Sequence, residues 1–157
     1  MTNDKAKQEL AQFVDAVRPF FPDLSLVIPR PIDVKVFPDE CGQLRPPQSG
    51  MYILFRSSDD QLLYVGIANS IERRIYQHLG PSFSWARSGR QCGFPNMTLA
   101  ADRPWLAQGT QDLLCRGDFQ IQFIGVIPPQ YAVLLEAFLV ARALAKEGRP
   151  PEINVEF

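Results

Sequence analysis

The chain has 157 residues, 46% of them hydrophobic, and a net charge of −1. This length and composition predict one globular domain with an extension. The near-neutral charge argues against a protein that coats nucleic acid electrostatically. The longest apolar run, Ala132 to Ala141, is too short to cross a bilayer and is interrupted by Glu136.

The first residues and the cysteines bear on the cellular compartment. Met1-Thr2-Asn3-Asp4 shows neither the basic nor the apolar region of a secretory signal. The cysteines are odd in number and widely spaced, without a CxxC pair: Cys41, Cys92 and Cys115. This spacing indicates reduced thiols and not a disulfide framework or a zinc site. We therefore expect a cytoplasmic protein that does not enter a membrane.

Residues 1–48 form an N-terminal arm whose pattern predicts a helix and a strand. Apolar residues recur at helical spacing from Leu10 to Val17. A short apolar run over 24–28 follows, and apolar and polar residues then alternate over 32–36, as in a half-buried strand. The composition of residues 38–47 predicts a loop. We expect the arm to pack on the core and to take no part in chemistry.

The remainder, residues 49–157, has a more regular pattern. Alternating apolar residues, a polar turn and flanking Gly and Pro residues predict a β-hairpin, a further strand and two helices. The strands are predicted over Met51–Arg56, Leu62–Gly66 and Phe119–Ile127, and the helices over Ile71–Leu79 and Gln130–Glu147. An insert over about residues 81–118 is predicted to be irregular.

A basic block overlaps this insert. Between Arg73 and Arg116 there are six arginines and two aspartates, so the block carries +4 and the rest of the chain −5. Arginine is the residue suited to forked phosphate contacts. An ordinary solvated surface explains the same bias.

Glu136 is the least expected residue of the chain, because it is the only charge in the apolar stretch from Tyr131 to Ala141. An isolated buried carboxylate is costly unless a cation meets it. At helical spacing Glu136 shares its face with Ala132, Val133, Val140 and Ala143. That face suits a metal ion or a cationic partner, and an internal salt bridge is the alternative.

Four further residues have ordinary explanations when they are taken separately. Arg74 and His78 lie four residues apart on one helix face, where a histidine near the C-terminus favours the helix dipole. Tyr52 and Tyr64 lie one in each strand of the hairpin, where tyrosine is common.

Taken together, these residues resemble the GIY-YIG nuclease family. Gly50-Met51-Tyr52 and Tyr64-Val65-Gly66 are similar to the two signatures that name the family. The family spacing then falls on Arg74 for the catalytic arginine and on Glu136 for a metal-binding glutamate. His78 and Asn154 match a histidine and an asparagine found in many members. The resemblance covers residues 49–157 and departs from the family pattern at three apolar positions, Met51, Val65 and Ile67.

The resemblance implies an endonuclease that hydrolyses DNA phosphodiester bonds with one divalent metal ion, Mg²⁺ or Mn²⁺, held by Glu136. Arg74 would bind a phosphate oxygen and stabilise the transition state. One of Tyr52 and Tyr64 would polarise or deprotonate the water and the other would position water or phosphate, with Tyr52 preferred as the base.

His78 would accept a proton, and Asn154 would tie the tail to the site by hydrogen bonds. All six residues are expected in one pocket. Arg73, Arg87 and Arg90, with Trp85 and Trp105, are candidate DNA contacts, and ordinary packing of an inserted loop is the alternative explanation.

The implied fold is an α/β (α+β) sandwich, a mainly antiparallel three-stranded sheet flanked by helices, to which the arm can add a strand. DNA is the expected partner. A homodimer is one option, because a paired cut needs two active sites, and a partner protein that supplies specificity is another. Two other hypotheses stay open: a catalytically weak nucleic-acid-binding or adaptor module, and a nuclease subunit that is active only with a partner. A wholly structural reading predicts Glu136 paired with a protein cation and no concave site around it.

Overall fold

The computed structural model describes residues 1–37, 49–80, 94 and 97–154. The strands are β1 (Ser25–Val27), β2 (Ile32–Asp33), β3 (Gly50–Arg56), β4 (Leu62–Ala68) and β5 (Phe119–Ile127). The helices are α1 (Asn3–Val17), α2 (Ile71–Leu79), α3 (Thr98–Ala101), α4 (Gln108–Arg116) and α5 (Ala132–Glu147), the last preceded by a 3₁₀ turn (Pro129–Tyr131). None of the helices in these ranges has the length and apolarity of a membrane span.

The strands form one antiparallel sheet in the order β1-β5-β3-β4, and β2 pairs with β5 beside β1. Alternate residues of β3 enter two separate cores, because successive side chains of a strand point to opposite faces. Met51 and Ile53 pack with α1 and α5, whereas Tyr52 and Leu54 pack with α2, α3 and α4. The predicted α+β sandwich with three central strands is confirmed, and the arm adds two short strands.

The strand predicted over 32–36 is shorter than its alternation indicated. Only Ile32 and Asp33 pair with β5, and the chain then turns. The Asp33 carboxylate accepts a hydrogen bond from the Lys35 backbone N–H at 2.8 Å, and the Asp33 carbonyl accepts one from Val36. An aspartate that bonds the backbone two residues later favours a turn over continued pairing. The loop predicted over 38–47 lies outside the described residues.

The prediction of an irregular insert is wrong for residues 97–118, which contain α3 and α4. The sequence of α4 contains too few apolar residues to predict a helix, and its buried positions are Thr110, Leu113 and Leu114. The helix ends at Gly117, whose left-handed backbone (φ 72°) lets its N–H bond the carbonyls of the last turn. These short helices form because they cover the sheet, a tertiary effect that periodicity alone does not reveal.

A buried ion cluster fastens α1 to α5. Glu9, 4% exposed, accepts hydrogen bonds from Arg142 Nε at 2.9 Å and from Lys146. These two bonds lower the pKa of Glu9 to about 2. Phe13 and Phe138 stack nearby, with ring centroids 4.1 Å apart. The arm therefore helps to set the position of the helix that carries Glu136.

Candidate active site

Tyr52 and Tyr64 lie on the same face of the hairpin because β4 contains a bulge. Leu54 pairs with Tyr64 and Phe55 with Leu62, so Leu63 has no partner and the register shifts by one residue. The two tyrosine ring centroids are 5.8 Å apart. Tyr52 is 1% exposed, whereas Tyr64 is partly exposed and lines a cleft.

The glycines of the two signatures make room for this arrangement. Tyr52 pairs directly with Gly66 across the hairpin. A Cβ atom on Gly66 would lie 2.6 Å from the Tyr52 hydroxyl and 2.7 Å from the Tyr64 ring. A Cβ on Gly50 would lie 2.3 Å from the Ile124 carbonyl oxygen, and Gly50 has a φ of 144°. Both positions therefore require glycine for steric reasons.

Glu136 of α5 is half-buried in the wall of the cleft that Tyr64 lines. The cleft has a volume of about 400 Å³ and is lined by Tyr64, Arg103, Val133, Glu136, Ala137, Val140, Ile153 and Asn154. Burial raises the pKa of the Glu136 carboxyl above its usual value. Among the described residues no protein cation forms an ion pair with it, in contrast to Glu9. The wholly structural reading predicted the opposite on both points.

Arg103, which the sequence analysis did not assign to the site, enters the same cleft from the insert. Its guanidinium carbon lies 5.7 Å from the centroid of the Tyr64 ring, within the range of a cation–π contact. The only sequence signal was its place in the basic block. Its contact with Tyr64 depends on how α3 packs on the sheet.

His78, on α2, contacts both tyrosines. Its Nε2 lies 2.6 Å from the Tyr52 hydroxyl, and its ring centroid lies 5.8 Å from that of Tyr52 and 5.7 Å from that of Tyr64. Burial, and then the charges of Arg74 and Arg103, lower the pKa of His78 to about 4. Burial and the neighbouring Tyr64 raise the pKa of Tyr52. At neutral pH, therefore, a protonated phenol can donate to Nε2 of an uncharged imidazole.

We expect NMR titration to give a His78 pKa of about 4, well below the usual value of about 6.5. His78 is the chain's single histidine, so its imidazole signals are unambiguous. The His78 imidazole binds a proton at a higher pH in the unfolded chain than in the folded protein. The folded state should therefore lose stability as the pH falls from about 6.5 to about 4. Arg74→Gln and Arg103→Gln should each raise the pKa of His78. A value near 6.5 in the folded wild type would contradict this site geometry.

Arg74 lies at a second cleft and not in the one that holds Glu136. This cleft has a volume of about 360 Å³ and is lined by Ala68, Asn69, Ser70, Arg73, Arg74 and Gln77. Both arginine side chains are exposed, on the solvent side of α2. The six predicted site residues are therefore divided. Tyr64, Glu136 and Asn154 line the first cleft, Arg74 lines the second, and the buried Tyr52 pairs with the partly buried His78.

Asn154 ties the tail to the outer edge of β4, as predicted. Its amide donates to the Val65 carbonyl and accepts from the Val65 N–H, both at 2.7 Å, and the Ile153 N–H bonds the Leu63 carbonyl. These bonds satisfy backbone groups on an edge strand beside the site. Trp85, Arg87 and Arg90, predicted to contact DNA, lie outside the described residues.

Comparison with known proteins identifies one family. The family described as GIY-YIG catalytic domain matches residues 48–139, which is more than half of the chain and includes both signatures, α2 and Glu136. No curated protein and no solved structure matches the chain.

Proposed function

Because this chain belongs to the GIY-YIG family of nucleases, we propose that it is an endonuclease that cuts DNA with the help of a single divalent metal ion. One observation carries the proposal. A half-buried glutamate without an ion-pair partner in the described part of the chain shares a cleft with a family tyrosine, and a tyrosine–histidine pair lies behind that tyrosine.

The residues of the cleft fit a hard divalent cation. Glu136 supplies one carboxylate, and no group of three or more acidic, histidine or cysteine side chains gathers anywhere in the described ranges. Mg²⁺ tolerates a single carboxylate when water and phosphate oxygens complete its ligands. The raised pKa of Glu136 indicates a charge that the described residues leave poorly compensated, which a cation would correct. When bound, the ion supplies charge neutralisation on the phosphate and a more acidic water.

Burial and hydrogen bonding favour Tyr64 over Tyr52 as the residue that acts on water. Tyr52 is buried, its pKa is raised, and its hydroxyl is engaged with His78, so it is poorly suited to meet water in the cleft. Tyr64 lines the cleft together with Glu136. In our proposal Tyr64 polarises the attacking water by accepting its hydrogen bond, and Tyr52 orients Tyr64 from behind. Neutral His78 holds Tyr52 in place by accepting the hydrogen bond of its hydroxyl.

The second cleft would bind the phosphate backbone. Arg73 and Arg74 both line it, and guanidinium groups bind phosphate oxygens through paired hydrogen bonds. The positive charge of Arg74 also favours lower pKa values for Tyr52 and His78, so it acts on the residues behind Tyr64. We propose that Arg74 stabilises charge on the scissile phosphate and that Arg73 contacts the backbone beside it.

We expect the purified protein to nick supercoiled plasmid in Mg²⁺ or Mn²⁺ and to stop when EDTA is added. Arg74→Ala should lower the cleavage rate about 10²- to 10³-fold, because it removes one charge-stabilising donor. Arg18→Ala, which removes an exposed arginine paired with Asp15 on α1, is the matched control and should cut like the wild type.

Two outcomes would count against the proposal. If Arg74→Ala cuts plasmid at the wild-type rate, Arg74 does not stabilise charge on the scissile phosphate. A folded wild type that cuts neither duplex, branched nor single-stranded DNA would favour a binding module or a subunit that needs a partner.

A further inference from the structure

Arg103 is held at the cleft wall but has few partners of its own. Its Nη1 donates a long hydrogen bond of 3.4 Å to the Leu99 carbonyl, and its guanidinium lies over Tyr64. Its Nε is buried and has no hydrogen-bond partner. Among the described residues, no carboxylate forms an ion pair with it.

Four other arginines of the described ranges, Arg18, Arg56, Arg116 and Arg142, each pair with an acidic side chain. Arg56 also has a buried Nε without a hydrogen-bond partner, but its other two nitrogens lie beside carboxylates. A guanidinium without an anionic partner is left incompletely hydrogen-bonded, which favours binding of an acceptor. Arg103 therefore presents unused donors at the wall of the cleft that contains Glu136.

The chemistry of the cleft indicates which ligand would use these donors. The contact with Tyr64 and the hydrogen bond to the Leu99 carbonyl limit the movement of the Arg103 side chain. Its guanidinium group is therefore oriented before a ligand binds. Although Arg103 and Glu136 line the same cleft, they form no ion pair with each other. A phosphate group accepts hydrogen bonds from a guanidinium and can also bind a divalent cation, so it suits a cleft with both residues in its wall.

We propose that Arg103 binds a phosphate group of the DNA backbone in the Glu136 cleft, as a second phosphate-contacting arginine supplied by the insert. This inference rests on the proposed nuclease function. Arg74 and Arg103 then contact the substrate from two clefts.

The test measures DNA binding without cleavage. In the Glu136→Gln background, binding of a short labelled duplex is followed by fluorescence anisotropy in EDTA at several salt concentrations. Arg103→Gln is expected to weaken binding about 10-fold and to reduce the slope of log Kd against log salt by about 1. Arg103→Lys should retain the slope because it retains the charge. Arg18→Gln should change neither quantity.

A second measurement uses the Arg103 side chain itself and does not depend on how a variant folds. Bound duplex should protect Arg103, but not Arg18, from modification by phenylglyoxal, as mapped by mass spectrometry. Equal modification of Arg103 with and without DNA would overturn the inference, and so would an Arg103→Gln variant that binds like Arg18→Gln. If the wild type still cuts plasmid, only this inference fails. If the wild type neither binds nor cuts DNA, the proposed function fails as well.

Discussion

Replacing Glu136 with glutamine is expected to lower kcat/KM for plasmid cleavage by about 10³-fold or more while leaving the protein folded. Among the described residues, Glu136 is the only carboxylate that lines the cleft, and a neutral amide is a weak ligand for a divalent cation. Calorimetric titration with Mn²⁺ should show binding to the wild type and little or none to Glu136→Gln.

The same substitution should leave stability unchanged or increase it. Folding raises the pKa of Glu136, so the stability linked to its protonated form is present below the unfolded pKa, about 4.3, and is lost as the pH rises through the folded value. Glutamine resembles the protonated form at every pH. The expected result is therefore a large loss of activity together with an equal or higher melting temperature at pH 7.

Asp15→Asn is the matched control, since it neutralises an exposed carboxylate on α1. It should change neither metal binding nor cleavage. A Glu136→Gln variant that cuts at the wild-type rate would show that the metal ion, if required, is held elsewhere. A variant that unfolds would contradict the half-buried, unpaired environment described for this side chain.

Gly66→Ala is expected to lower the cleavage rate by about 10²-fold or more and to destabilise the protein by about 1 to 3 kcal/mol. The added methyl would lie 2.6 Å from Tyr52 Cζ and Oη and 2.7 Å from Tyr64 Cε1. Tyr52 is fully buried and cannot swing into solvent to make room. Both tyrosines would therefore shift, and the Tyr52 hydroxyl would leave its position beside His78.

Gly109→Ala is a suitable control, because a Cβ at Gly109 meets nothing within 4 Å and the residue lies in α4. Alanine there should keep activity and add up to about 1 kcal/mol of stability. Urea unfolding and plasmid cleavage measure the two effects. If the clash is with Tyr52, Tyr52→Leu should restore part of the stability of Gly66→Ala without restoring activity. Wild-type activity in Gly66→Ala would contradict the packing of the tyrosines against this glycine.

The sequence alone determined the order of the central strands and helices, because turns and hydrophobic periodicity are local properties. The hairpin, the strand over Phe119–Ile127 and the helix that carries Glu136 all lie where the pattern predicts them. The spacing of the two signatures also indicated Tyr52, Tyr64 and the residues grouped with them. That indication came from resemblance to a family, since each residue taken singly had an ordinary explanation.

The tertiary structure decided how these residues face one another. The bulge at Leu63 places Tyr64 on the same face of the sheet as Tyr52. A shift of strand register by one residue cannot be predicted from an alternating sequence pattern. The division of Arg74 and Glu136 between two clefts, and the entry of Arg103, depend on helices packed from distant parts of the chain. The pKa values of His78 and Glu136 follow from burial and from charges across space, which no local pattern encodes.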